Sequence, residues 1–503
     1  MLPSITVFGL VIPLYTLMAV IGIIVAMITG YFRCRRLKGD LTACLMTLTF
    51  GLLFSILGAS LFYYIFSYDI TRLIAEVSRG DWSFTQSGGL VFYGGLICGL
   101  LGSFCTELML RGSMEKTCDV LLPVIPLGHA FGRVGCIFAG CCFGMEYDGF
   151  LAVTTPYAHG THLPVAGIEA VLVFLLFFYL QRQVKRRPGR YRVLFSYLSV
   201  YAMLRFVLEY ARGDAIRGVF GSFSTSQWIS IGVLLFSVFM VLKNGKGSMT
   251  ERIGAQKDVF ISFVTVFWLC VWHLTANAVG NALLLPGPGD ALRSFFTLAG
   301  HAAFWESVGT TLLRVITGYA GAILIGCLLA FLCHFCAPAE LLLSPVRSII
   351  RATPVASFII LLWLWLSKGT VPAFISFLMV VPVIWSNVQE GLKQTDPRML
   401  EMARAYRFTG LQTLRELYLP AIKAPFTAAC ATGLGFAWKS GISAEVIARP
   451  LRAIGTGIAD AKVYLETGEL FAWTLTVILI SMLLEKALMR VIRGQNRKEG
   501  AGK

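Results

Sequence analysis

Long apolar stretches separated by short polar connections dominate this chain of 503 residues. A helix needs about 17–25 mostly apolar residues to cross a bilayer. Seven stretches of about this length precede residue 245, at residues 8–29, 41–66, 89–110, 118–138, 164–181, 191–211 and 227–242. Six more follow, at residues 259–281, 308–333, 343–366, 370–388, 422–440 and 469–490. The pattern predicts an all-α polytopic membrane protein of about 13 transmembrane helices, with a seven-span bundle followed by a six-span bundle.

A polar segment separates the two groups of spans. Residues 243–258 form a long polar break that contains three Gly residues. Gly-rich polar segments are typical of flexible connections. We therefore predict a first domain over residues 1–245, a cytoplasmic linker over 246–258 and a second domain over 259–495.

The composition agrees with membrane insertion and excludes other classes of protein. Hydrophobic residues make up 56% of the chain and charged residues only 14%, whereas charged residues make up about a quarter of a soluble domain. These values exclude a soluble enzyme and a disordered scaffold. The net charge of +16 lies mainly in connections between spans, so it predicts an orientation in the membrane and no nucleic-acid partner.

The connections between spans alternate in their content of basic residues. Lys and Arg follow the first, third, fifth and seventh spans, whereas residues 139–163 contain neither. Basic connections remain on the cytoplasmic side of the membrane. We expect a multi-pass protein of the cell membrane with an outside N-terminus and a cytoplasmic C-terminus.

Polar residues inside two spans of the first domain mark a candidate site. One stripe of the sixth span carries Tyr201, Arg205, Glu209 and Arg212, and one face of the fourth span carries His129 and Arg133. Ionisable residues at membrane depth are costly and are functional candidates. In the simplest alternative Arg205 and Glu209 only neutralise each other, but the other arginines exceed what one Glu can pair. The excess positive charge predicts a bound anion, and phospholipid phosphate is the abundant one.

Several motifs resemble those of prolipoprotein diacylglyceryl transferases, over about residues 5–245. They are Gly132-Arg133-x-Gly135, the Tyr201 to Arg212 stripe, the Ser87 to Gly95 segment, Tyr15 in the first span, and Pro164 with Glu169. The resemblance implies transfer of diacylglyceryl from phosphatidylglycerol to the lipobox cysteine of a secreted prolipoprotein. It implies catalytic roles for Arg133, Arg205, Tyr201 and Glu209. It also implies contacts to the substrates at Tyr15, Tyr93, Gly94, Gly95, Gly132, Gly135 and Arg212.

The first domain also departs from the family pattern. Tyr93 stands where the family has His, and Tyr is a poor base. Cys136, Ala139 and Ala166 replace further polar residues of the family. We predict that His129 replaces the missing base. The alternative is a degenerate, catalytically inactive domain that binds lipid or a partner, in which case transport is the only function.

Three cysteines follow the Gly-Arg motif within seven residues. Cys136, Cys141 and Cys142 offer sulfur ligands, but no companion His lies at ligand spacing. The three cysteines can bind a metal or form a disulfide, and the missing His argues against zinc. From the sequence we therefore expect no metal and no cofactor bound by this chain.

The second domain contains an amphipathic, basic segment at residues 396–420. Glu401-Met-Ala403, followed by Leu419-Pro420, resembles the loop by which type I ABC importer permeases dock on their ATPase subunit. Gly433-x-Gly435-Phe-Ala-Trp438 with Ala444-Glu445 is similar to the nitrate, sulfonate and taurine branch. The resemblance covers about residues 259–495 and implies docking roles for Glu401, Ala403, Leu419 and Pro420. Arg407 stands where the family usually has Gly.

The sequence contains no Gly-x-x-x-x-Gly-Lys-[Ser/Thr] phosphate loop. The resemblance therefore implies that a separate ABC ATPase subunit hydrolyses the ATP. It also implies an extracytoplasmic solute-binding protein, of which a lipoprotein is one form, and a dimer through the permease half. We favour a bifunctional membrane protein over the permease-only alternative. The docking segment argues against a third alternative, an unrelated thirteen-span secondary transporter, because ion-driven carriers need no ATPase.

Overall fold

A computed structural model describes residues 4–7, 10–66, 91–110, 114–186, 191–213, 219–244, 251, 253–254 and 256–500. Ser87 to Leu90 of the predicted Gly-rich segment and residues 245–250 around the predicted linker lie outside these ranges. The chain forms two compact units, which consist of Met1–Asn281 with Gly287–Arg293 and of Ala282–Pro286 with Ser294–Lys503.

The first unit is mainly helical. Its helices are α1 (Leu14–Arg36), α2 (Leu41–Phe66), α3 (Phe92–Leu110), α4 (Met114–Leu121), α5 (Val124–Ala139), α6 (Val165–Arg186), α7 (Arg192–Glu209), α8 (Thr225–Asn244) and α9 (Lys257–Val279). Three antiparallel hairpins join β1 (Ser4–Val7) to β2 (Leu10–Pro13), β3 (Val153–Thr155) to β4 (Ala158–His162), and β5 (Val219–Phe220) to β6 (Phe223–Ser224). The first apolar stretch was expected to be helical from residue 8, but strand β2 occupies its start and the helix begins after Pro13.

Helices α2 and α3 pack closely because glycines line their contact. A Cβ atom on Gly94 would lie 2.6 Å from the backbone oxygen of Gly58, and one on Gly95 would lie 2.9 Å from Ser55 Oγ. Small residues permit this close approach of helices within a membrane. The resemblance implies that Gly94 and Gly95 contact the substrate. In the structure both residues have a packing role between two helices.

Helix α9 belongs to the first unit, although the sequence places it after the predicted linker. Its Val266 packs into a buried cluster with Phe206 of α7 and Leu234 of α8. Val259 is completely buried beside Val241. The structural division thus falls near Asn281, and the predicted domain limits at 245 and 259 stay a prediction.

The second unit consists of helices around one apolar core. They are α11 (Ala302–Phe335), α12 (Ala337–Ala352), α13 (Val355–Trp363), α14 (Val371–Lys393), α15 (Pro397–Ala405), α16 (Gly410–Thr413), α17 (Leu419–Ala448), α18 (Ile454–Val463) and α19 (Thr467–Gly500), while α10 (Pro288–Ala299) straddles the division between units. Trp385 of α14 and Trp438 of α17 are among the largest buried side chains of this core.

The predicted span at 343–366 is bent. Helices α12 and α13 meet at an angle of 103°. Pro354 causes this break because a residue before proline disfavours helical backbone angles, and Thr353 accordingly has an extended ψ of 130°. The apolar stretch at 343–366 thus contains parts of two helices instead of one continuous helix.

Every predicted apolar stretch contains a helix, and nine helices in the described part of the chain are long and apolar enough to cross a membrane. The number rises to ten if the bent pair forms one span. The chain is an all-α polytopic membrane protein, and the exact count of 13 spans stays a prediction.

Candidate functional site

The candidate site of the first unit lies among helices α5, α6 and α7. Arg133 of α5, Glu169 of α6 and Arg205 of α7 are only 6%, 1% and 2% exposed. Buried charges are stable only when they are paired and hydrogen-bonded. Their mutual geometry therefore explains how these helices tolerate charge.

Glu169 is the centre of the charged network. Arg133 Nη2 lies 3.0 Å from Glu169 Oε1, and Arg205 Nη1 lies 4.0 Å from Glu169 Oε2. Tyr201 donates a hydrogen bond of 3.4 Å from its hydroxyl to Glu169 Oε1. One carboxylate thus holds side chains from two other helices.

Arg205 has further partners on its own helix and on α8. Its Nη2 lies 2.7 Å from Glu209 Oε2, one helical turn away, and 3.4 Å from Ser226 Oγ. The expected pairing of Arg205 with Glu209 is present. Because Glu169 also pairs with both arginines, the predicted excess of positive charge is smaller than the sequence suggested.

His129 lies directly beside Arg133. Arg133 Nε donates a hydrogen bond of 3.1 Å to His129 Nε2, which lies 3.8 Å from Glu169 Oε1. The ring of Phe92 stacks on the His129 ring with centroids 3.8 Å apart. Arg133 therefore engages the basic nitrogen of His129 in this arrangement.

The other predicted substrate-contact residues surround this network at different distances. Tyr93 is buried, and its hydroxyl lies 2.6 Å from Ser230 Oγ. Gly135 lies against Tyr15, because a Cβ atom there would be 3.2 Å from the Tyr15 ring. Among the described residues, a Cβ atom at Gly132 would meet no atom within 4 Å beyond its chain neighbours and its own helix backbone, so that position has space for a methyl group.

Arg212 lies beyond the end of α7, where its backbone forms an antiparallel bridge with Gly144. This bridge places Arg212 next to the connection that follows α5. Glu169 is the residue that the site prediction omitted. A glutamate inside an otherwise apolar helix was a signal that could have identified it.

Three cysteine sulfurs converge beside Arg133. The sulfurs of Cys136, Cys141 and Cys142 all lie within 4.8 Å of one another. Arg133 Nη1 lies 3.8 Å from the Cys142 sulfur. Hydrogen bonds within the cluster, followed by the positive charges of Arg212 and Arg133, lower the pKa of the Cys142 thiol.

The candidate docking segment of the second unit is a short helix followed by a tight turn. Asp396 caps helix α15 by accepting a hydrogen bond from the backbone of Arg398. The helix ends at Ala405, and Arg407 then takes a left-handed φ of 56°. Glycine adopts this angle without steric cost, which accounts for glycine at the corresponding position of the resembled loop.

The four predicted docking residues differ in their exposure to solvent. Glu401, Leu419 and Pro420 are exposed, whereas Ala403 is only 2% exposed. Ala403 is thus covered by other residues of this chain and offers little surface to a partner. Large apolar side chains are exposed on the same segment, at Met399, Met402, Tyr406 and Leu411.

A buried carboxylate connects three helices of the second unit. Glu445 of α17 is fully buried and accepts hydrogen bonds of 2.9 Å from Thr311 Oγ1 and 3.1 Å from the backbone of Gly455. Arg314 Nη1 lies 3.2 Å from its other oxygen. These contacts hold α11, α17 and α18 together.

Two family models match separate parts of the chain. The model for prolipoprotein diacylglyceryl transferase matches residues 3–243. The model for binding-protein-dependent transport system inner membrane component matches residues 322–498. The two matches do not overlap, which supports a fusion.

Individual relatives agree with this division. The phosphatidylglycerol–prolipoprotein diacylglyceryl transferase of Clostridium tetani is 30% identical over 240 residues, which cover 46% of this chain and 93% of the relative. Transferase 2 of Clostridium perfringens is 28% identical over 46% of this chain and 91% of its own length. The taurine transport system permease protein TauC of Escherichia coli is 22% identical over 47% of this chain and 88% of its own length. This chain therefore belongs, through its N-terminal half, to the prolipoprotein diacylglyceryl transferase family, and its C-terminal half is similar to binding-protein-dependent transport permeases.

Proposed function

We propose that the first unit transfers diacylglyceryl from phosphatidylglycerol to the cysteine thiol of a prolipoprotein. The observation that carries this proposal is the buried network of Arg133, Glu169 and Arg205. It places two guanidinium groups around one carboxylate inside the helix bundle, and guanidinium groups are the partners that a phospholipid phosphate requires. The intact network also favours an active enzyme over the degenerate alternative.

In the proposed reaction, the prolipoprotein sulfur attacks a glycerol carbon and the carbon–oxygen bond to the phosphate breaks. The electron pair of that bond leaves with glycerol phosphate, and Arg133 and Arg205 stabilise its negative charge. Tyr201 and Glu209 orient the two arginines through the network around Glu169. The phosphate thus binds where the transition state develops charge.

The thiol must lose its proton before or during this attack. We propose that His129 Nε2 accepts this proton. In the structure this nitrogen accepts a hydrogen bond from Arg133 Nε. When Arg133 turns toward the substrate phosphate, it releases the basic nitrogen. Substrate binding thereby activates the base, which explains how the enzyme functions with Tyr93 in place of the family's histidine.

Activity in vesicles of phosphatidylglycerol tests this assignment. The full chain should transfer diacylglyceryl to a lipobox peptide, and Arg133→Ala or Arg205→Ala should lower kcat by about 100-fold or more. Arg182→Ala is the matched control because Arg182 is exposed at the end of α6, and it should retain activity. A folded wild-type chain that binds the lipid without turnover would support the degenerate alternative instead.

The second unit has the features of an importer permease. Its family similarity implies an ABC transporter with an ATPase subunit and a binding protein. We propose in addition that two copies of the chain pair through this unit, and that the docking segment faces the cytoplasm. The exposed apolar side chains of residues 399–411 support a contact with the ATPase, because aromatic and Met side chains are enriched in protein interfaces.

Co-purification of the ATPase tests the docking surface. Tyr406 is 75% exposed. The Tyr406→Asp variant should therefore no longer co-purify with the ATPase, but it should still insert into the membrane. Leu451→Asp is the control, because Leu451 is 88% exposed outside the segment. Ala403→Asp should unfold the segment itself, since it places a charge at a buried position. Equal recovery of the ATPase with Tyr406→Asp and wild type would contradict the assignment.

A further inference from the structure

The chain reversal after helix α5 creates a cluster of three thiols. Helix α5 ends at Ala139, and Gly140 follows in the left-handed region with a φ of 70°. Cys142 also has a left-handed φ of 58°, which is unfavourable for a residue with a side chain. These two positions return the chain over Cys136, and the Cys141 sulfur approaches the Cys136 backbone oxygen at 3.8 Å.

The sulfur separations agree with one shared metal ion. Zn²⁺ lies about 2.3 Å from each thiolate ligand, so three sulfurs around one tetrahedral ion are about 3.8 Å apart. The three sulfurs here lie within 4.8 Å of one another, so a shift of about 1 Å completes such a site. A disulfide, by contrast, joins only two sulfurs at about 2.05 Å and would leave the third thiol without a role.

The surroundings supply charge and space for an ion. Three thiolates and one Zn²⁺ carry a net negative charge, which the guanidinium of Arg133, 3.8 Å from the Cys142 sulfur, compensates. A small cavity of about 20 Å³ is lined by all three cysteines, Gly140 and Thr155. That volume holds about one water-sized particle.

The strain at Cys142 is a further argument. A left-handed non-glycine residue costs of order 1–3 kcal/mol and persists where the surrounding structure requires it. Here it turns the Cys142 sulfur toward the other two. The missing His argued against zinc along the sequence, but the sulfur distances in the folded chain favour a ligand set.

We propose that Cys136, Cys141 and Cys142 bind one thiophilic divalent ion of the Zn²⁺ class, with water or a substrate group as the fourth ligand. The ion would hold the end of α5 in place and keep Arg133 at the edge of the transferase site. This inference concerns a separate metal site and does not depend on the transfer reaction.

Cobalt binding tests the site directly. The full chain is purified in detergent under reducing conditions, stripped with a chelator and titrated with Co²⁺, whose tetrahedral thiolate complexes have strong charge-transfer and visible absorption bands. We expect one Co²⁺ per chain that Zn²⁺ displaces. Cys142→Ser should weaken binding by roughly tenfold or more, whereas Cys142→His should retain binding with a weaker charge-transfer band.

Controls separate metal loss from misfolding. Cys105→Ser changes an exposed cysteine of α3 and should bind Co²⁺ like the wild type. Size-exclusion profiles of all variants should coincide. The proposal is overturned if wild type gives no thiolate bands, or if Cys142→Ser binds Co²⁺ as tightly as wild type. It is also overturned if, in protein purified without reductant, two of the three cysteines form a disulfide, which would leave two fewer free thiols than the thirteen cysteines of the chain.

Discussion

Replacing Glu169 by Gln removes the charge at the centre of the buried network with Arg133 and Arg205 while keeping the side-chain volume. Arg133 and Arg205 are 6% and 2% exposed, so water cannot replace the lost partner. Removing one member of a buried ion pair costs about 3–5 kcal/mol. For a unit of this size, each kcal/mol of lost stability lowers the Tm by about 2–4 °C. The substitution should therefore lower the Tm by about 6–20 °C.

Glu209→Gln is the matched comparison for this substitution. Glu209 forms an ion pair with Arg205, and its side chain is more exposed than that of Glu169, at 10%. Loss of one charged hydrogen bond costs about 1.5–3 kcal/mol. Thermal unfolding of both variants in the same detergent should therefore show a clearly larger decrease for Glu169→Gln.

A double substitution tests whether the ion pair itself is responsible. When Arg133→Gln is added to Glu169→Gln, no unpaired guanidinium remains at position 133. The double variant should therefore lose at least about 1 kcal/mol less stability than the sum of the two single losses, which is a typical coupling energy. Equal decreases for Glu169→Gln and Glu209→Gln, or strictly additive effects in the double variant, would refute this reasoning.

Three further substitutions test other features. Glu445→Gln leaves Arg314 without its carboxylate partner and should destabilise the second unit by about 3 kcal/mol, measured by thermal unfolding; an unchanged Tm would show that the buried carboxylate is dispensable. Arg407→Gly relieves a left-handed backbone angle and should stabilise the docking segment by about 0.5–1 kcal/mol, seen as slower hydrogen exchange there; faster exchange would contradict it. Gly94→Ala should cost about 1–3 kcal/mol through a clash between α2 and α3, whereas Gly132→Ala, which meets open space, should not destabilise the protein; equal losses would rule out close packing as the cause.

Hydropathy was sufficient to predict the helices because each span must satisfy its own backbone hydrogen bonds in the membrane. It did not predict the 103° bend at Pro354, since the apolar run continues through it. The N-terminal hairpin was also missed, because an apolar strand and the start of an apolar helix have the same composition.

The sequence predicted which residues of the candidate site share a face of one helix, but not which residues of different helices meet. Spacing identified Arg205 with Glu209, and His129 with Arg133, because residues four apart share a helix face. It could not show that Glu169 enters from a third helix, 3.0 Å from Arg133. Ala403 illustrates the same limit in the second unit, where a local motif did not reveal that the chain itself covers the side chain.

Helix α9 determines where the chain can be divided into separately produced pieces. A fragment that ends within residues 246–258 lacks Val259 and Val266, and so exposes the apolar groups of α7 and α8 that these side chains cover. A fragment that ends at Gly280, whose left-handed φ of 64° terminates α9, keeps that surface closed. The family match ends at residue 243, before the helix that completes this packing. A fragment made to separate the two activities should therefore include α9.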